Sequence, residues 1–206
     1  MATKILMATM GMDIGGAETH IVELSKQLTA HGYDVIVASK YGAYVPELTK
    51  AGIKHYDIPM NARNISCMVK SYFMLKRVIK SEKPDIVHAH ARIPAFICGL
   101  LKKTMKFRMV TTCHGVFALG GLVTRLTNWG QKTVAVSNDI KQYLMDSYGI
   151  PADDIVVTVN GIDTDRFSPN ISGEGIRQEF NIPKEAKVVT CVSRLDDFVA
   201  ASARQL

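Results

Sequence analysis

Seven short runs at 3–9, 33–38, 53–58, 85–89, 108–112, 132–136 and 155–159 recur along the chain. Most are continuous stretches of Ile, Val, Met and Ala bounded by turn residues. Continuous apolar runs of this length are expected of strands buried on both faces rather than strands with one wet side. Helical patterns stand between them. Ala17, Ile21, Leu24 and Leu28 form one stripe of a helix that stops at Gly32, and Met68, Tyr72, Leu75 and Ile79 repeat the spacing. Ser137 or Asn138 can cap a further helix through Tyr148, which Gly149 and Pro151 terminate. Parallel strands need a long crossover, usually a helix, so the pattern predicts an α/β protein with a Rossmann-like parallel sheet and helices on both faces.

The chain has 206 residues, 47% of them hydrophobic and 21% charged, enough to bury a core and outside the disordered classes. Residues 1–168 are expected to form this Rossmann-like domain and 169–186 a connector. Residues 187–206 read as the first strand, 187–193, and the start of a helix of a second, truncated domain. Cys67, Cys98, Cys113 and Cys191 form no CxxC pair and no signal peptide precedes the first strand, so buried thiols in a cytoplasmic setting are expected. No apolar run approaches the roughly 20 residues that span a bilayer.

The net charge of +6 biases the chain toward anionic partners. Lys70, Lys76, Arg77 and Lys80 fall in one predicted helix, and Lys102, Lys103, Lys106 and Arg108 form a second cluster. No recognition-helix, RNP or zinc-finger pattern accompanies them, so no nucleic-acid partner is expected. A solvated helix face is the simpler reading and an anionic membrane surface the other.

In parallel sheets, ligands bind beyond the carboxyl ends of the strands, where strand order reverses. After the first strand comes MGMDIGGAETH at 10–20, whose Gly15 and Gly16 open a helix. Its spacing matches neither the GxGxxG fingerprint nor a P-loop. Bare N–H groups at a helix start can hold an anion, and a plain βα turn accounts for the glycines equally well. DIVHAHAR at 85–92 carries His88 and His90, followed by Arg92, and TTCHG at 111–115 ends another strand with His114. An HxH pair can ligate metal, but without a third ligand of fixed spacing the preferred reading is one buried, satisfied histidine and one facing the cleft. The DTD of 163–165 reads as a turn rather than a metal motif, and no GxSxG elbow is present.

Together GGAE, DIVHAH, TCHG, VAVSN at 134–138, NGID at 160–163 with Phe167 and Pro169, and SRLD at 193–196 resemble the amino-terminal half of a GT-B glycosyltransferase of the GT4, or group 1, retaining kind. The ordered likeness covers nearly the whole chain. It implies an enzyme that moves a sugar from a nucleoside diphosphate to an acceptor hydroxyl with retention, without a required metal or other cofactor, and with this domain on the acceptor side. By position, Gly15, Gly16 and Arg194 would meet the donor diphosphate. His114 would contact the transferred sugar as the catalytic residue, and His90, Arg92 and Asn160 would line the cleft or the acceptor site. The lysine that usually follows the family's arginine is missing from 195–202. The implied partners are a nucleotide-sugar donor and a glycan or lipid-linked acceptor, with the enzyme peripheral on the inner face of the membrane. Without its second domain the chain is expected to be inactive. The alternatives are a stand-alone Rossmann-like module for a phosphorylated or glycosylated ligand and, third, a nucleotide-dependent oxidoreductase.

Overall fold

The computed structural model of the protein describes residues 2–61, 64–116, 127–165 and 167–190. The chain falls into two compact units, Met1–Gly161 and Ile162–Leu206. The first holds a seven-stranded sheet: β1 (Lys4–Gly11), β2 (Asp34–Lys40), β3 (Lys54–Asp57), β4 (Ile86–His90), β5 (Arg108–Cys113), β6 (Lys132–Ala135) and β7 (Ile155–Val157). All pairings are parallel and the order is β3-β2-β1-β4-β5-β6-β7. The chain therefore winds outward in one direction from β1 to β3 and in the other from β4 to β7. The switch point lies between β1 and β4, where Thr9 is in register with His90.

The period-two alternation of the strands sends one residue to each face, and both faces are covered. Leu6, Ala8, Val87 and Ala89 pack with Leu75 and Ile79 of α3 (Ile65–Glu82) and Ile97 and Leu101 of α4 (Arg92–Lys102). Ile5, Met7, Val35 and Val37 pack against Ile21 and Val22 of α1 (Gly16–Ala30) and Leu48 of α2 (Val45–Lys50). A third cluster joins Cys113, Trp129, Ala135 and Ile155 to Ile140 and Leu144 of α5 (Asn138–Tyr148).

The helix ends follow from local chemistry. Asn64 caps α3 by accepting from Cys67 N, and Ser137 caps α5 by accepting from Ile140 N. Gly149 ends α5 in the left-handed conformation at φ 64°, which a glycine adopts without steric cost. Among the described cysteines, Cys98 and Cys113 are buried and Cys67 is partly so.

In the second unit, Arg177 on α6 (Glu174–Glu179) donates to the Pro183 and Ala186 carbonyls and folds the following segment back on the helix. The strand expected over 187–193 does not form in its described part. Residues 187–190 have no ladder, and Val189 is 89% exposed. A strand needs a neighbour to satisfy its backbone groups, and none is present among the described residues. Residues 191–206 lie outside the described residues.

Candidate active site

The carboxyl ends of β1, β4 and β5 converge on the switch point. The loop after β1 is fixed by main-chain bonds to the loop after β2. Met12 N donates to Lys40 O at 3.1 Å and Tyr44 N donates to Met12 O at 2.8 Å. This holds Gly15 as the N-cap of α1. No side chain caps that end, and Gly16 has open space where a side chain would stand. Gly15 does not: a Cβ there would lie 2.3 Å from a carboxylate oxygen of Glu18. The helix start thus combines exposed donors with an acidic group of its own first turn, which favours the dipole and which an incoming anion must displace.

Behind this loop sits a group of four histidines. His88 and His90 project from the same face of β4 with ring centroids 4.1 Å apart. His88 Nε2 lies 2.7 Å from Thr112 Oγ1 on β5. His90 is wholly buried, its Nδ1 3.1 Å from His114 Nε2, and its Nε2 has no hydrogen-bond partner. His20, one turn into α1, completes the group with its ring centroid 5.1 Å from that of His114 and 6.0 Å from that of His90. Burial disfavours the charged form of each ring. It pushes His88 down to about 3 and His114 to about 4, lowers His20, and holds His90 well below the usual value. At neutral pH all four are uncharged imidazoles, able to donate or accept through either nitrogen.

Of the residues expected at the site, Gly15, Gly16 and His114 come together at this edge. The expected buried, satisfied histidine is divided between two: His88, partly exposed, pairs with Thr112, while the wholly buried His90 keeps one nitrogen without a partner. The cleft-facing role expected of His90 is corrected: the side chain lies beneath the partly exposed His20 and His114 and does not reach the crevice. Nor is HxH an isolated pair, because the fold adds His20 and His114 from other elements. Arg92 opens α4, and its charge opposes the burial that pushes the Tyr148 hydroxyl up to about 12. Asn160 is exposed in the segment after edge strand β7, three positions from β4 in the sheet. Arg194 lies outside the described residues.

Sequence reasoning missed His20 and Glu18. Their signal was helical spacing: His20 is four residues after Gly16 and so returns to the side of α1 that carries the loop. A groove of about 590 Å³ lies at the opposite, amino-terminal end of the strands, between Lys80, Lys83, Asp85, Lys106 and Arg108. None of the residues gathered at the switch point lines it.

The family model described as Glycosyltransferase Family 4 matches residues 14–166. The GPI3 subunit of phosphatidylinositol N-acetylglucosaminyltransferase of Saccharomyces cerevisiae is 26% identical over 200 residues, covering 88% of this chain and 43% of the yeast protein. The UDP-Gal:alpha-D-GlcNAc-diphosphoundecaprenol alpha-1,3-galactosyltransferase of Escherichia coli is 24% identical over 185 residues, covering 79% of this chain and 46% of that protein. Among solved structures, a glycosyltransferase from Rickettsia africae superposes with a TM-score of 0.76 at 29% identity, over 89% of this chain and 51% of its own. The chain therefore spans about half the length of these relatives.

Proposed function

The chain belongs to glycosyltransferase family 4 and has the Rossmann-like fold of the amino-terminal half of GT-B enzymes, and from that premise we propose that it is the acceptor-side domain of a retaining enzyme that transfers a sugar from a nucleoside diphosphate to a lipid-linked acceptor. The observation that carries the reading is the convergence of the Gly15–Gly16 helix start and His114 at the switch point of the sheet. Breaking a glycosyl–phosphate bond builds negative charge on the leaving diphosphate. Fixed backbone donors at the start of α1 favour that charge more in the transition state than in the bound donor. In this reading Arg194 adds a bidentate guanidinium from beyond the described residues. His114, neutral and partly exposed, donates or accepts a hydrogen bond at the transferred sugar or the acceptor hydroxyl.

Two observations support a lipid-linked acceptor. Both the yeast and the Escherichia coli relative carry a lipid in the name of their acceptor. The outer side of α3 also presents Ile65, Val69 and Phe73, exposed by 80%, 50% and 54%. At about 100° per residue these lie on one arc with Lys70, Lys76, Arg77 and Lys80 and without an acidic residue. A face that mixes cations with apolar side chains suits the headgroup region of an anionic leaflet, which supports a peripheral location on the inner membrane surface. No helix among the described residues is long and apolar enough to cross a membrane.

The test is a longer chain that includes Arg194 and the domain after it, screened across nucleoside-diphosphate sugars for acceptor-dependent release of nucleoside diphosphate. Release is expected with a lipid-linked acceptor. His114→Ala should lower kcat by about a hundredfold or more, the scale on which removal of one positioned polar group acts. This 206-residue chain should show no turnover by itself. Full activity of His114→Ala, or the absence of release with every donor, overturns the reading.

A further inference from the structure

We infer that the groove at the amino-terminal end of the strands receives the phosphomonoester headgroup of a membrane lipid, an assignment that rests on the peripheral location proposed above and adds the lipid chemistry to it. Lys80 and Lys83 enter the groove from the end of α3, and Lys106 and Arg108 from the entry to β5. All four are exposed. One carboxylate, Asp85, stands among them and is engaged elsewhere: its Oδ2 accepts from Lys4 N of β1 at 2.8 Å, whereas Arg108 lies on the other side of β4, on β5.

The fold does not compensate this charge. Lys4, Lys26, Lys40, Lys54 and Lys132 each pair with a carboxylate within 3.1 Å. Among the described residues, none of the four groove cations has such a partner. Like charges around one concavity repel each other, and together they concentrate an anion there. Lys83 adds a backbone observation. It ends α3 in the left-handed conformation, φ 50° and ψ 54°, where glycine is usual and a side chain is strained. A lysine kept there at the expense of stability points to a use for its charge.

Lining and charge together select the occupant. Ile79, Pro84 and Phe107 also line the groove and are buried, so it offers apolar contact that a free inorganic anion leaves unused and the glycerol carbons of a lipid take up. Its cations suit a group of about two negative charges. A phosphomonoester carries about −1.5 to −2 at pH 7 and presents three acceptor oxygens to the Arg108 fork and the lysines. A phosphodiester carries about half that charge and is flanked by carbon on both sides. At about 100° per residue Lys80 falls in line with Ile65, Val69 and Phe73, so the outer arc of α3 runs into the groove. The groove stands at the end of the strands opposite the switch point, so a lipid held there anchors the enzyme and is not its acceptor.

The experiment is co-sedimentation of the chain with phosphatidylcholine vesicles that contain either phosphatidic acid, a phosphomonoester, or phosphatidylglycerol, a phosphodiester, at matched surface charge. Wild type is expected to partition onto the phosphatidic acid vesicles about fivefold more strongly or better. Lys106→Gln with Arg108→Gln should remove that preference. Lys50→Gln with Lys103→Gln takes the same charge from exposed positions outside the groove and should keep it. Lys83→Gly should weaken the preference while its Tm equals or exceeds that of wild type, an opposition that a merely structural lysine does not produce. Equal partitioning of wild type onto the two vesicles, a preference unchanged in the Lys106 and Arg108 double variant, or one lost equally in the control overturns the groove and leaves the peripheral reading standing. Binding to neither vesicle overturns both. Displacement of the chain from phosphatidic acid vesicles by an equal concentration of free glycerol 3-phosphate would move the occupant from membrane to solution and overturn the lipid assignment.

Discussion

Gly42, in the loop after β2, lies so close to the loop after β1 that a Cβ on it would stand 2.4 Å from the Met12 carbonyl carbon. The neighbour is backbone, which cannot swing away as a side chain can. Met12 and Tyr44 are also hydrogen-bonded across the same junction, so the glycine is what lets one loop brace the other and hold the start of α1 in place. Gly42→Ala is expected to destabilise the domain by about 2 kcal/mol or more, the upper range of overpacking costs. Urea denaturation reads this directly. A midpoint equal to wild type would show that the junction yields freely and does not brace the glycine loop.

Glu82 at the end of α3 ties three elements together. It accepts from Lys4 on β1 at 2.9 Å, from Lys54 on β3 at 2.6 Å, and from the Tyr56 hydroxyl. Its side chain is 13% exposed, and the hydrogen bonds, that from Lys54 first, hold its carboxyl down at about 2. A carboxylate whose folded value is depressed stabilises the fold above its unfolded value, and that stabilisation fades as pH falls through the folded value. The Glu82 contribution is therefore complete above about pH 4.5 and is lost on the way to about 2. Because Lys54 is 60% exposed and solvent screens its charge, about 1–2 kcal/mol is expected at neutral pH. Glu82→Gln should be less stable by that amount at pH 7 and should converge with wild type as the pH is lowered. A gap that stays constant down to pH 2 would assign the loss to packing instead.

The sheet was legible in the sequence because a doubly covered parallel strand is apolar along its whole length, and all seven runs became strands. The α1, α3 and α5 helices were legible because each keeps a polar side and so shows a stripe. The α4 helix was not. Its RIPAFICGLLK is buried on most sides, with Ile93, Ala95, Ile97, Cys98 and Leu101 all covered, and it holds Pro94 and Gly99, two weak helix formers that mask the pattern. At the site, Gly15, Gly16 and His114 were legible because each stands just past the carboxyl end of an apolar run. His20 has no such position. It lies inside a helix and joins the site only through the packing of α1 on β1 and β2. The burial of His90 was equally hidden, since it depends on residues from two other elements standing over it.

Ala91 links His90 to α4 with φ 94° and ψ 158°, a region that glycine enters freely and other residues enter at a cost of about 1–3 kcal/mol. Glycine at this position would lose about 0.5–1 kcal/mol through added freedom of the unfolded chain. Relief of strain exceeds that loss, so Ala91→Gly is expected to stabilise the domain by about 1 kcal/mol, seen as a higher Tm. A lower Tm would mean that the surroundings of Ala91 support its conformation with interactions that glycine forfeits.

The outer arc of α3 makes the membrane reading quantitative. Lys70 and Arg77 are exposed, so replacing them should leave stability within about 0.5 kcal/mol of wild type. Each basic residue near an anionic surface contributes about 1 kcal/mol of attraction, so Lys70→Gln with Arg77→Gln should reduce partitioning onto phosphatidylglycerol vesicles by tenfold or more. Phe73→Ser together with Val69→Ser should also reduce it, by removing the apolar part of the contact. The two effects differ in their dependence on salt. Raising ionic strength weakens wild-type binding by screening the cations and has little further effect on the charge-depleted variant, whereas the apolar variant keeps the full salt dependence. Co-sedimentation at low and high salt separates them. Equal binding of wild type to neutral and anionic vesicles, or no loss in either variant, would return this face to the role of an ordinary solvated helix surface.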